Sequence, residues 1–559
     1  MKKRLKSVLL SLCCVLSLIL AACGGDPGGG GTIIDPDGGG NGPDGATSRQ
    51  GALTIKVPMT AAETNILQTV VDEYRKLNPL VSISIDNGGA GGGYNTALDN
   101  ALSVSDLSGV SFDIVRNNMV SHYFGSGKFV DFNNYLSLNN PYANNTPWKN
   151  SLDSLALVPD GSFGEIYSMS FQSTQVSFYY NKSLFAAAGI DADDIKTWPQ
   201  FVSVCAALNA LGGGVKPLSV NGSEDSFWSG QMSWIFRTYV DQYFRDAAST
   251  VHTRSGDWNY DPLKDDAWTY GVTPGDYPEL STEAAWERAY YNDDPRIYTE
   301  NELRTLKKIT EGEYGHNTPR YKNMLANLKQ VFPQYCYSFL EKEDTSFWTG
   351  KSAIALDTTD LLVEWKKRYD LSPAGDKLFE IGRFDFPAMT SHPSYPEGAP
   401  VTDYTRSIGG PHGYYGIVNK SAKQTELAMD FMMFWVSKRG QDIEMQAYKQ
   451  YNQFIKGVPY VKGVSIPDEI NMIGGYKLKG IADFNPAMVF ARGLRNEGST
   501  TRDFQTNTQS LFAASNAITI DVYGQRMQTS FTANMGKYLV TRGYRSNALA
   551  DVTANPFPS

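Results

Sequence analysis

Cysteine is scarce in this chain. There are five in 559 residues, and Cys13, Cys14 and Cys23 fall within the first 23. That excludes a disulfide framework for the remainder, where only Cys205 and Cys336 are left to form at most one bridge. The five histidines, His122, His252, His316, His392 and His412, are scattered without ligand spacing, so no metal site is expected. Excess positive charge is also lacking, with 50 Lys and Arg against 59 Asp and Glu. No basic cluster lies beyond the first few residues, which excludes the phosphate-neutralising footprint of a nucleic-acid binder. Enzyme signatures are missing: there is no G-x-S-x-G elbow, H-E-x-x-H, C-x-x-C or P-loop. The glycine run 88–93 does not fit the dinucleotide spacing, and no cofactor is expected. Paired carboxylates for glycoside hydrolysis act through spatial separation, so sequence spacing alone does not identify them.

Long apolar runs are absent but for Val8 to Ala22, which follows the basic head Lys2, Lys3, Arg4 and Lys6. A membrane-spanning helix needs about 20 apolar residues. This shorter run ending in small residues reads as a cleaved export signal over 1–22. Leu20-Ala21-Ala22-Cys23 resembles the lipobox of bacterial lipoproteins, which implies that Cys23 is lipidated and becomes the mature N-terminus. Two or more acyl chains hold a soluble domain at a membrane, whereas one binds only reversibly. Gly24 to Gln50 holds little to bury and many glycines, so 23–50 reads as a lipidated Cys and a tether. A flexible coil of that length spans about 30 Å end to end. Its Asp35, Asp37, Asn41 and Asp44 do not meet the EF-hand pattern. Processing removes four cations and no anions, leaving a net charge near −13. The roughly 510 residues after the tether exceed what one hydrophobic core usually serves, so at least two lobes are expected.

Secondary structure can be read in the first part. Ala52 to Met59 is a strand, and Thr60-Ala61-Ala62-Glu63 is a capping box that starts a helix. Ile66, Leu67, Val70, Val71, Tyr74 and Leu77 recur at helical spacing until Asn78-Pro79 stops the run. Leu80 to Asp86 alternates as a strand, Tyr94 to Ser103 suits a helix, and Phe112 to Val115 a third strand. This β-α-β-α-β order predicts a parallel sheet in an α/β lobe. A second unit opens with the strand Gln175 to Asn181 and another capping box at Thr197 to Gln200, after which Phe201, Cys205 and Leu208 share a core face.

With these words in place, the chain resembles the family 1 extracellular solute-binding proteins, the group that includes maltose-binding protein and many sugar-binding lipoproteins of ABC importers. The resemblance rests on the opening strand and capped helix, SFYYNKSLFAAAGIDADDIKTWPQFVSVCAAL (177–208), FWTGKSAIALDTTDLL (347–362) and IGGPHGYYGIVNKSAKQTELAMDFMMFWVSKRGQ (408–441). Residues 241–335 and 460–559 match poorly. The resemblance implies an α/β, two-lobed periplasmic-binding-protein-like fold of the class II type, with the ligand cleft between lobes. On that basis 51–170 and 346–406 are expected in the first lobe. The second lobe is expected to take 171–345 and 407–559, with an aromatic-rich insertion. The implied function is capture of a sugar or oligosaccharide by hinge closure and delivery to ABC transporter permease subunits. The implied protein is a monomer, without enzymatic activity, on the outer face of the cytoplasmic membrane of a Gram-positive type of cell. A surface-anchored carbohydrate-active enzyme, or a receptor for another solute such as a peptide, are the alternatives.

Ligands in open α/β sheets bind beyond the carboxyl ends of the strands, so the loops after each strand supply the candidates. They are Thr60 and Glu63, Tyr94, Arg116 and Asn117, Gln172 at the first crossover, Thr358 and Asp360, and Gly410 and Tyr414 at the second. Sugar rings also stack on aromatic faces. Between Phe227 and Glu300 stand 16 Phe, Trp and Tyr in 74 residues, and Trp228 and Trp258 are the preferred platforms, with Trp268 behind them. Trp234 lies in an apolar helical pattern and is expected in the core. Where the family often has a Trp after its GK-x-A strand, this chain has Asp357-Thr358-Thr359-Asp360, which suggests a more polar site.

Overall fold

The computed structural model describes residues 49–559 except 89–91, 153, 158–164, 267–299, 340–344, 407, 471–493, 495–497, 514, 516 and 559. The expected signal peptide, Cys23, the expected tether up to residue 48 and Trp268 therefore lie outside the described residues. The chain opens as β1 (Gln50–Lys56), α1 (Ala61–Leu77), β2 (Leu80–Asp86), α2 (Gly92–Leu102) and β3 (Ile114–Arg116). Both β2 and β3 pair with β1 in parallel, Leu53 opposite Ile83 and Ile55 opposite Ile114. The Thr60 capping box forms, and Ile66, Leu67, Val70, Val71 and Tyr74 are the buried stripe of α1, as the spacing predicts.

The long strand β4 (Met169–Asn181) then leaves this lobe for the next. The second lobe continues through α3 (Trp198–Ala210), β5 (Lys216–Ser219), α4 (Glu224–Ser229), α5 (Gln231–Phe244), α6 (Glu302–Thr310), α7 (Pro319–Lys329), β6 (Ser352–Thr358), α8 (Asp360–Leu371) and β7 (Ile381–Phe384). The chain returns as β8 (Gly409–Ile417), α9 (Ala422–Trp435), α10 (Lys438–Gln450) and β9 (Val458–Pro459), and ends on α11 (Gly498–Phe512) and α12 (Ile520–Thr541).

One strand explains how two lobes share a sheet. Residues 169–175 of β4 pair antiparallel with β8, which in turn pairs with β3. Residues 176–181 pair with β6 and β7, and β6 pairs in parallel with β5. The partners change between Gln175 and Val176, which is the crossover.

This register corrects the expected division of the chain. Strand β6 was expected to return to the first lobe, but Ala353, Ile354 and Leu356 are buried with Phe178, Phe201 and Leu218 of the second-lobe core. Residues 409–461 were expected in the second lobe, but Ile417, Phe431, Met432, Phe434, Trp435 and Tyr460 are buried with Leu53, Ile55 and Val71 of the first. Burying each such side chain contributes about 1.5–3 kcal/mol, so the apolar faces of these elements decide the lobe. The end of the chain does join the second lobe, where Phe504, Phe512, Tyr523 and Phe531 are buried.

The aromatic enrichment is also explained by packing in its described part. Phe227, Phe236, Tyr239, Tyr243 and Phe244 are fully buried in the second-lobe core, and Trp234 packs against it. Cys205 and Cys336 are both buried and are not joined in a disulfide. Just ahead of β8, Arg406 is pinned to the second lobe by a buried Asp241 that also holds Arg245. Burial alone would raise the Asp241 carboxyl, but the two guanidinium groups hold it at about 2. A further apolar cluster spans the lobes, joining Ile66, Met445, Tyr448 and Ile455 to Tyr179, Ala355, Leu361 and Trp365.

Candidate functional site

The carboxyl ends of β1 and β3 point toward the crossover from the first lobe. Glu63, in the first turn of α1, accepts hydrogen bonds at Oε2 from the Thr60 amide and hydroxyl, both at 2.8 Å. Its Oε1 takes the Lys456 ammonium at 2.5 Å. Burial would raise this carboxyl, but Lys456 and the Thr60 bonds outweigh it and hold it below the usual range. Glu63 is thus both cap and ion-pair partner.

Tyr94 is 3% exposed, and its hydroxyl lies 2.9 Å from the Lys56 carbonyl and 3.1 Å from that of Arg116, while accepting from the Arg116 amide at 3.0 Å. It ties β1 to β3 rather than facing a ligand. Asn117 is fully buried. Its Nδ2 donates to the Tyr167 carbonyl at 2.9 Å and its Oδ1 accepts from Ser168 Oγ at 3.0 Å. The expectation that Tyr94 and Asn117 contact ligand is corrected on this ground. Gly416 makes room for Asn117, since a Cβ there would lie 2.1 Å from Nδ2. Arg116 is half-buried and carries no ion pair among the described residues. Burial raises the Tyr415 hydroxyl, and the charges of Glu444, Arg116 and Glu63 also act on it.

The floor is the crossover itself. Gln172 is buried and opposite His412 in register, Gly410 stands opposite Thr174, and Tyr414 opposite Ser170. Segment 456–459 lies over β4, with Val458 opposite Ser173. Gly457 is needed there because a Cβ would meet the Ser173 carbonyl oxygen at 1.9 Å. Lys456 joins the lobes: its carbonyl accepts from Thr359 Oγ1 of the second lobe, and its ammonium reaches Glu63 of the first.

The second-lobe wall is built at the carboxyl ends of β5 and β6. Gln231 binds both ends at once, accepting from the Asn221 amide at 2.5 Å and donating to the Leu356 carbonyl at 2.6 Å. Trp228 is half-buried near the end of α4, three residues before this anchor. Asp360 is exposed at the start of α8, where its carboxylate accepts from Thr358 Oγ1 at 3.3 Å. Asp357, in the polar stretch that ends β6, is raised to about 6 by burial, with Asp360 adding to the shift against the Thr358 amide. Trp258 does not join them. It packs edge-on against Phe557 at 5.6 Å, near the Asp257–Arg304 ion pair, and no described neighbour of its ring belongs to the crossover.

The structure therefore gathers Glu63, Arg116, Gln172, Gly410, Tyr414 and Asp360 around the crossover, and adds Lys456 and Asp357. Lys456 carried no readable signal beyond the Lys-Gly pair. Among the described residues no group of three or more His, Cys, Asp or Glu is arranged to hold a metal ion, and no helix is long and apolar enough to cross a membrane.

A family model described as bacterial extracellular solute-binding protein matches residues 60–442. Among solved structures, the chain is similar to the cyclic α-maltosyl-1,6-maltose binding protein from Arthrobacter globiformis, with a TM-score of 0.51 and 14% identity over 87% of this chain and 99% of that one. It is also similar to the apo form of RafE from Streptococcus pneumoniae, with a TM-score of 0.50 and 12% identity over 87% and 98% of the two chains. At these identities the likeness is one of fold. No curated protein matches the chain.

Proposed function

The chain belongs to the bacterial extracellular solute-binding proteins, a family of binding proteins rather than enzymes, and from that premise we propose that it captures a sugar or oligosaccharide by closing its two lobes. Delivery to ABC transporter permease subunits follows, with the lipid on Cys23 holding the protein at the outer face of the membrane.

The observation that carries this reading is the change of partners in β4 between Gln175 and Val176. A strand shared by two separately cored lobes bends where its partners change, and closure there brings both walls onto one ligand. Ligand stabilises the closed state because only that state offers contacts from both sides. The sugar class is supported by the half-buried Trp228 near the end of α4 and the half-buried Arg116 at the end of β3. An indole face suits the C–H side of a pyranose and a guanidinium its hydroxyls.

The test is thermal unfolding with raffinose, maltotriose, chitotriose and xylotriose, beside tripeptides and spermidine. Binding at a hundred times Kd adds about 2.7 kcal/mol of stability. A rise in Tm with at least one sugar is expected, and a rise only with peptides or spermidine overturns the sugar class. Trp228→Ala is expected to weaken the sugar response with little change in the ligand-free Tm.

A further inference from the structure

At the end of the first lobe away from the crossover, three side chains converge on one carboxylate. Asp430, on α9, is fully buried. Its Oδ2 accepts from the Tyr74 hydroxyl of α1 at 2.6 Å and from the Tyr142 hydroxyl at 2.9 Å. Its Oδ1 lies 2.9 Å from Arg49 Nη2, the one cation that reaches it among the described residues. Burial raises this carboxyl, opposed by Arg49 and the two tyrosine bonds. Arg49 immediately precedes β1, and Gln50 stands opposite Leu80 at the start of β2. The clasp therefore sits at the amino end of the sheet, about 20 Å along β1 from the strand ends at the cleft.

A buried carboxylate left without its counterion is costly to a fold. Here the lobe itself orients the carboxylate. Tyr74 and Tyr142 pack on Phe434 at 5.4 and 5.2 Å, and the Tyr142 hydroxyl accepts from Asn78 Nδ2 at 3.4 Å. The counterion, by contrast, comes from the chain just as it enters the sheet. Arg49 is also the only Lys or Arg between Cys23 and Lys56. A protease that cuts after basic residues has to take that guanidinium into its own pocket, and it cannot do so while Asp430 holds it.

We propose that Asp430 locks the root of the tether: by holding Arg49 it fixes where the tether leaves the first lobe and keeps the single basic cleavage site ahead of β1 from trypsin-like proteases. The clasp is independent of the sugar reading. Its role as a root rests on Cys23 carrying the lipid.

The test is trypsin treatment of the full lipidated chain on phosphatidylglycerol vesicles, unsubstituted and as Asp430→Asn and Tyr142→Phe. Mass spectrometry follows the rate at which fragments beginning at Gln50 appear, and urea midpoints are measured alongside. Asp430→Asn keeps an acceptor for both tyrosines and loses the charge. It is expected to speed cleavage after Arg49 about tenfold, because cutting follows the population of the opened root, and Tyr142→Phe is expected to speed it less. Faster cleavage at this bond alone, with midpoints unchanged, supports the lock. Equal rates in all three proteins overturn it, since pairing of β1 then protects the bond unaided. A lowered midpoint with every tryptic site cut faster also overturns it, because Asp430 then braces the whole lobe. If the vesicles do not retain the unsubstituted chain, the role as a tether root falls, while the rates at Gln50 still judge the clasp and the sugar reading is untouched.

Discussion

The two walls of the cleft differ in how their polar groups are engaged. On the first-lobe wall Glu63 is held by Thr60 and Lys456, Tyr94 by two strand ends, and Asn117 at both ends of its amide. On the second-lobe side Asp357 has only its neighbour's amide and the Tyr179 hydroxyl has no partner, as is true of Gln175 Nε2 at the crossover itself. The first wall is rigid by construction; the second keeps its hydrogen-bonding capacity. A receptor built this way has a preorganised platform on one side and a reading surface on the other, which lowers the ordering cost of binding.

The largest expected effect breaks the platform. Asn117→Leu removes, in a fully buried place, the amide that bonds the Tyr167 carbonyl and the Ser168 hydroxyl. A loss of about 3 kcal/mol is expected, read as a lower urea midpoint. If the midpoint holds and only sugar affinity falls, Asn117 belongs to the reading surface and the contrast between the walls is wrong.

Next comes the carboxyl behind the platform. Glu444 is buried against Trp435 Nε1 at 2.9 Å and Gln441 Nε2 at 2.6 Å. Burial, opposed by these two bonds, raises it from 4.5 to about 7. Folded protein therefore keeps a proton that the unfolded chain has lost, and stability falls as pH rises from 4.5 to about 7. Above that the penalty is complete, at about 3 kcal/mol. Glu444→Gln keeps an acceptor for both donors and has nothing to ionise. Its midpoint is expected to match the unsubstituted protein near pH 4.5 and to exceed it at pH 8. Parallel pH profiles for the two proteins show that Glu444 ionises freely.

These contrasts also show what the sequence could reveal. Local rules were legible: the Thr60 capping box, the buried stripe of α1 and the core face of Cys205 all formed as their spacing predicts. Lobe membership was not, because Ile354 in β6 and Ile417 in β8 are equally apolar, and only the pairing of β4 tells which core each enters. The position of a strand end located Glu63, Arg116 and Asp360 near the crossover. It did not tell a ligand group from a brace, since Asn117 and Arg116 are neighbours with opposite surroundings. Trp258 shows the same limit for aromatics, since a Trp in a polar stretch reads alike whether it meets solvent or Phe557.

The smallest expected effect concerns Lys456, where the platform meets the crossover. Glu63→Gln retains a capping side chain at the start of α1 but removes the charge that faces the ammonium. Both side chains of the pair are partly open to solvent, so the loss is expected to be about 1 kcal/mol or less. The Glu63 carboxyl is held below its ordinary range, so its contribution is present above the unfolded pKa and is lost as pH falls through the folded one. Lys456→Met removes the same pair from the other side while leaving the carbonyl that accepts from Thr359. If the pair is the shared cause, the double variant loses less than the sum of the two single losses. Additive losses mean that each side chain acts alone, and then the link between the lobes at this point runs only through the backbone of residue 456.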